Sequence, residues 1–209
     1  MAIFKMFKKS ALEMKNLRCI TVTAMMIALS LALKSVTIYV TDDLKISFSF
    51  IALATIGMLF GPTVGFLAGT VTDILGLLIQ QQMSAFNPIF TFVEAMGGML
   101  YGLFLYNISF NKIENKNGKF FTKSDTLQLL RIVLAKLAVA VVCNIILTPL
   151  AMYITGVWAW ETMITVKIPA RLIKNAIQVP VDCILLFAIL PPILAAYKSI
   201  FKRNVKAAQ

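Results

Sequence analysis

Hydrophobic positions in this chain fall in long runs separated by short polar or basic stretches. A run of roughly 20 apolar residues is the length that crosses a bilayer as a helix. Segmentation on this basis predicts helices over residues 19–40, 46–60, 63–80, 89–106, 126–153 and 168–197. The second is short for a full crossing, so it is expected to be covered by its neighbours or locally distorted. Residues 41–45, with Asp42 and Asp43, are predicted as the first outer loop. The uncharged segment 81–88 ends in Asn87-Pro88, a loop signal, and suits a flexible lid. Residues 155–167 form a predicted loop carrying Trp158 and Trp160, which suit a membrane interface. In residues 1–18, Ile3, Phe4, Met6 and Phe7 alternate with lysines and predict a short amphipathic helix along the headgroups. Pro180 and Pro191-Pro192 predict kinks in the last helix.

The chain is organised around ISFSFIALATIGMLFGPTVGFLAGTVTDILG, residues 46–76. Pro62 lacks a backbone donor and breaks this stretch into two helices. Beyond the break, Gly65, Gly69, Asp73 and Gly76 share one face. A glycine face lets a neighbouring helix approach closely, and such packing replaces the hydrophobic drive that lipid does not supply. Asp73 on that face is costly in a bilayer without a partner, so the helix is predicted to face inward. Helix 4 carries Gly98 and Gly102 at the same close-packing spacing. On helix 1, Ala24, Ala28 and Ala32 recur every four residues, making a strip suited either to packing within the bundle or to docking another membrane subunit.

Composition strengthens the membrane reading. Of 209 residues, 59% are hydrophobic and 14% charged, against about 25% charged in soluble domains. The net charge of +11 raises nucleic-acid binding as a possibility, but the basic residues lie between apolar runs, where membrane topology accounts for them. Lys5, Lys8, Lys9, Lys15 and Arg18 precede helix 1, while Lys112, Lys116, Lys119 and Lys123 fill the 107–125 loop. Lys198, Lys202, Arg203 and Lys206 end the chain. The opposite loops hold only Lys45 and Lys167. This asymmetry predicts an all-α membrane protein, a six-helix bundle with both termini cytoplasmic. The expected organisation is a basic amphipathic tail over 1–18, a membrane domain over 19–197 and a basic tail over 198–209.

Candidate chemistry lies in polar residues within the apolar helices. Arg171, Lys174, Gln178 and Asp182 follow spacings of three or four on helix 6, with Asn175 close to that face. Glu94 on helix 4 and Asn144 on helix 5 lie in the same outward half of the bundle. A positively weighted site there suits an anionic or zwitterionic organic solute. Phe86, Phe90, Phe92, Tyr153, Trp158 and Trp160 could together stack on a flat heterocycle. Structural readings stand beside these. Asp73 is expected to pair with Lys136, Lys34 or a backbone group, Glu94 to neutralise Arg171 or Lys174, and Asp182 to pack or pair. Lys45 and Lys167 are expected to snorkel. With no histidine, no phosphate-binding loop and no metal-ligand spacing, the chain is expected to be neither an ATPase nor another enzyme, and no cofactor or metal is implied. Cys19, Cys143 and Cys183 read as small core residues.

Those segments, with NPIFTFVEAMGGMLYGLFLY, Asn144 and ARLIKNAIQVPV, resemble the substrate-binding S components of energy-coupling-factor (ECF) vitamin transporters, most of all the folate group. The likeness spans almost the whole chain. Pro88-Ile89-Phe90-Thr91 and Asn144-Ile145-Ile146-Leu147 depart from the family's Pro-Gly-Phe-Thr and Asn-Thr-Leu-Trp. The resemblance implies a prokaryotic plasma-membrane protein that binds folate or a related compound. It also implies import together with a transmembrane coupling subunit and two cytoplasmic ATPases. Arg171, Lys174, Asn144, Gln178, Glu94, Phe90 and Trp158 are then the expected substrate-binding residues, and Ala24, Ala28 and Ala32 the docking strip. The alternatives are an S component for a different vitamin or heterocycle, or a self-sufficient secondary transporter.

Overall fold

The computed structural model describes residues 2–35, 38–41, 44–80, 86–108, 123–156 and 159–206. Its elements run α1 (Ala2–Glu13), α2 (Leu17–Ser35), a hairpin of β1 (Ile38–Thr41) and β2 (Leu44–Ile46), α3 (Phe50–Phe60), α4 (Pro62–Ile79) and α5 (Pro88–Leu105). A long helical rod follows, built from α6 (Lys123–Val139), a π-helical segment Ala140–Leu147 and α7 (Thr148–Ile154). The last rod joins α8 (Trp160–Thr162), a second π-helical segment Met163–Lys167 and α9 (Ile168–Lys206). Within it, α9 continues through Pro180, Pro191 and Pro192.

Among the described residues, five helical stretches are long and apolar enough to cross a membrane: Leu17–Lys34, Pro62–Ile79, Pro88–Leu105, Leu127–Ile154 and Met163–Ile200. The short α3 is the exception, and it sits at the centre. Ile51 through Met58 and Phe60 are all buried, so the expected cover by neighbouring helices is what the short run receives. By contrast Ile173, Ile177 and Ile184 on α9 and Leu130, Leu134 and Leu137 on α6 are exposed. An exterior as apolar as the core is the surface of a helix bundle solvated by lipid.

Glycine contacts hold the bundle's interior together. Gly65 of α4 packs on Gly98 of α5 so closely that a methyl group at either would meet the other's carbonyl. At Gly69 a methyl would lie 2.6 Å from the Glu94 carbonyl, and at Gly57 it would lie 2.6 Å from the Gly102 nitrogen. One ladder of backbone contacts therefore joins α3, α4 and α5. Gly76, on the same face, meets α2 instead, beside Leu31 and Lys34.

The break between α3 and α4 is closed from outside. Gly61 adopts φ 89°, ending α3, and Pro62 starts α4 where its missing donor costs nothing. The buried Ser10 of α1 donates to the Phe60 carbonyl at 2.7 Å and accepts from the Thr63 and Val64 amides at 3.1 and 3.3 Å. Thr63 in turn donates to the Phe7 carbonyl at 3.0 Å. The amphipathic N-terminal helix is thus a structural cap.

Two expected boundaries move. The first long helix ends at Ser35, and the chain continues as an antiparallel hairpin pairing Ile38 with Ile46 and Tyr39 with Lys45. Val36, Thr37, Ile38, Val40 and Thr41 are β-branched, which disfavours helix and suits strand. The region expected as a loop over 155–167 is helical from Trp160 onward.

Gly98→Ala forces a Cβ against the Gly65 carbonyl and is expected to cost about 1–3 kcal/mol through overpacking. Gly76→Ala places its Cβ 3.7 Å from Leu31, an ordinary contact, and should melt with the parent. Thermal unfolding of the detergent-solubilised variants checks the pair.

Candidate functional site

The π-helical segment Ala140–Leu147 explains how the site is built. In π geometry a carbonyl bonds to the amide five residues on, and the Thr148 amide does reach the Cys143 carbonyl. The Asn144 carbonyl would next require the amide of residue 149, which is a proline. That orphaned acceptor receives the Arg171 guanidinium, Nη1 to oxygen at 3.2 Å. The Asn144 amide donates to Asn175 Oδ1 at 3.0 Å, and Asn175 donates to the Arg171 carbonyl at 2.9 Å. A closed ring of bonds therefore locks α9 to the π-helical segment. π-Helical segments recur at functional sites because they spend a backbone bond to re-aim side chains.

Beside this lock lies a cavity of about 390 Å³, lined by Arg171, Lys174, Gln178, Asn144, Glu94 and Phe90 among others. Six of the seven residues expected at the site from sequence thus share one cavity, while Trp158 lies outside the described residues. Its volume falls within the range of small-molecule sites. Most of the predicted lid, residues 81–85, also lies outside the described residues.

Asp182, expected to pack or pair, does pair, but sequence reasoning missed its partner at the cavity's floor. Lys136 Nζ sits 2.7 Å from Asp182 Oδ2, 3.3 Å from the Tyr101 hydroxyl and 4.1 Å from the Phe50 ring centroid. Lys136 is 6% exposed and Asp182 1%, so each buried charge has its counter-charge at contact distance. The missed signal was reciprocity: a lysine and an aspartate, each lying inside a long apolar helix, have few partners but one another.

Other expected pairings are corrected. Glu94 joins Lys34 of α2 at 3.1 Å instead of Arg171 or Lys174, and Arg171 is held by the π-helical segment. Asp73 accepts from the Thr91 hydroxyl at 2.7 Å, not from a lysine. Among the described aromatics expected around the pocket, only Phe90 lines it. Phe86 and Phe92 are exposed, and Trp160 packs edge-on against Tyr153 at 5.4 Å. Ala24, Ala28 and Ala32 are exposed along α2.

A lipid-solvated helical bundle enclosing a charged, drug-sized cavity defines a membrane solute-binding component. The chain matches the family model "ECF transporter, substrate-specific component" over residues 18–190 and belongs to that family, whose members are transport components, not enzymes. It is 29% identical over 175 residues to the folate transporter FolT of Clostridium novyi (strain NT), covering 83% of this chain and 88% of the relative. It is also 29% identical over 188 residues to the folate transporter FolT of Streptococcus mutans serotype c, covering 89% and 90%. A crystal structure of FolT bound with folic acid superposes with a TM-score of 0.66 at 29% identity, covering 85% of this chain and 95% of that one.

Lys136→Met leaves Asp182 buried without its counter-charge and is expected to cost about 3–5 kcal/mol. Lys136→Met combined with Asp182→Leu should recover most of that loss. Thermal unfolding of the single and double variants is the check, and equal destabilisation by both would contradict the pairing.

Proposed function

We propose that this chain is the folate-binding S component of an ECF-type importer in a prokaryotic plasma membrane. The observation that carries the reading is the placement of Arg171 and Lys174 together on a cavity wall in a chain whose relatives are named folate transporters. Folate ends in a glutamate with two carboxylates. A guanidinium holds a carboxylate with a planar fork, and an ammonium one helical turn away adds a point charge. In this reading Asn144 and Gln178 supply neutral hydrogen bonds, and Phe90 and Trp158 supply aromatic faces.

The chain crosses the membrane six times, with the buried α3 as the short crossing and both termini cytoplasmic. The charge asymmetry of the loops supports this topology. Import requires a transmembrane coupling subunit and two ATPases. The small, exposed Ala24, Ala28 and Ala32 form the docking strip, since a flat strip lets a partner helix approach closely.

Mass spectrometry of small molecules copurifying with the solubilised protein tests the substrate directly. Recovery of a different vitamin would replace folate in this reading. In calorimetric titration, Arg171→Ala is expected to weaken folic acid binding by about 2–5 kcal/mol, roughly 30-fold or more. Arg171→Lys should recover part, and Asn144→Ala should cost less because a neutral bond is lost. Unchanged affinity in a folded Arg171→Ala protein would remove Arg171 from the site.

Ala28→Trp is expected to leave folic acid binding intact and abolish uptake. Copurification of a complete complex with this variant would count against the docking strip.

A further inference from the structure

Two cavities adjoin where α2 begins and α9 ends, away from the site described above. The first, about 400 Å³, is lined by Glu13 and Asn16 at the junction of α1 and α2, by Arg18, and by Phe60 and Tyr197, whose rings stand edge-on at 5.9 Å. The second is a groove of about 540 Å³ formed by Val22, Met25 and Met26 of α2, Leu59 of α3, and Ile193 and Ile200 of α9. Leu17, Arg18 and Tyr197 line both, which makes one crevice with a polar head and an apolar tail. Both α2 and α9 pack against α3, and Leu59 in its last turn lies between them in the groove. Ala24, Ala28 and Ala32 do not line it.

Position and charge together say what fits. Leu17 opens the candidate span Leu17–Lys34 and Ile200 closes Met163–Ile200, so the polar head lies where lipid headgroups lie. From Leu17 to Met26 the groove follows about 14 Å of helix at about 1.5 Å per residue. One leaflet of a hydrocarbon core about 30 Å thick is about 15 Å deep. Glu13 is the one acidic residue among the first 41, which include Lys5, Lys8, Lys9, Lys15 and Arg18. A headgroup with negative charge alone would suit Arg18 but oppose Glu13. A phosphoethanolamine carries both signs: its ammonium has three donors for the Glu13 carboxylate and the Asn16 carbonyl, and its phosphate matches the Arg18 fork.

We infer that this crevice binds one phospholipid of the phosphatidylethanolamine type, its head between Glu13 and Arg18 and an acyl chain in the groove between α2 and α9. Any lipid tail is as apolar as the groove, so the tail supplies fit and the head supplies selection. Met25 and Met26 are unbranched and adapt to a chain without fixed shape. The inference goes beyond the folate reading and needs only that the chain lies in a membrane.

Native mass spectrometry of the full chain in detergent tests it, with phosphatidylethanolamine, phosphatidylcholine and phosphatidylglycerol of identical acyl chains added in equal amounts. One phosphatidylethanolamine should be retained, favoured about fivefold or more over each of the others for its charge-assisted bonds. Phosphatidylcholine is the sharper control, since it keeps both charges and loses the ammonium donors. Glu13→Gln should bring the preference down to about twofold or less. Ala196 lines the groove and is exposed, and Ala196→Trp should abolish retention by filling the tail's place. Thermal unfolding and folic acid binding, both at parental values, confirm that the variants are folded. No retained lipid, equal retention of the three, or an undiminished preference in Glu13→Gln would overturn the inference and leave folate binding untouched. Full lipid retention by Ala196→Trp, with loss of copurifying coupling subunit, would also overturn it and give the groove to a helix of that subunit.

Discussion

Close backbone contact between α4 and α5 is the constraint from which the rest of this structure follows. Lipid offers no hydrophobic drive for one helix to seek another, so association must come from van der Waals contact at short range. Gly65 against Gly98 and Gly69 against the Glu94 carbonyl provide that contact. The approach carries Asp73 to hydrogen-bond distance of Thr91. It also draws α3 in through Gly57 and Gly102, which permits a short helix to bury nine of its 11 residues. Side chains of ordinary size would hold these helices apart, and the acidic side of the cavity would lose its geometry.

The opposite side of the cavity is organised by a backbone defect. Pro149 removes a donor that the π-helical register requires, and Arg171 fills the resulting gap. The guanidinium is thereby oriented before any solute arrives. A side chain with a preset direction loses less entropy on binding than one that must be ordered at the moment of contact. The Asn144–Asn175 bond adds a further fixed link between the same two elements. Beneath both walls, Lys136 and Asp182 join the two long rods at the cavity's floor.

Much of this was legible in the sequence. The glycine spacing named the face on which α4 and α5 meet, because four-residue periodicity is a local property. The polar residues on helix 6 pointed to the cavity for the same reason. What escaped was set by contacts distant along the chain or by backbone register. No periodicity reports that Glu94 faces Lys34 or that Lys136 meets Asp182. The π-helical segments leave an apolar run looking like any other helix, although Pro149 was a visible cue. The hairpin at 38–46 was hidden because its β-branched residues are also strongly apolar, so hydropathy alone extended the preceding helix across them.

Ser10 has a consequence for depth. It ties α1, a surface helix with exposed Ile3 and Phe4, to the first turn of α4. The tie sets the position of this amphipathic helix relative to the Gly61-Pro62 junction. At 1.5 Å per residue, about 16 Å of helix separates Pro62 from Asp73, against a hydrocarbon thickness of about 30 Å. Asp73 therefore stands a fixed half-thickness away from the junction that Ser10 ties down.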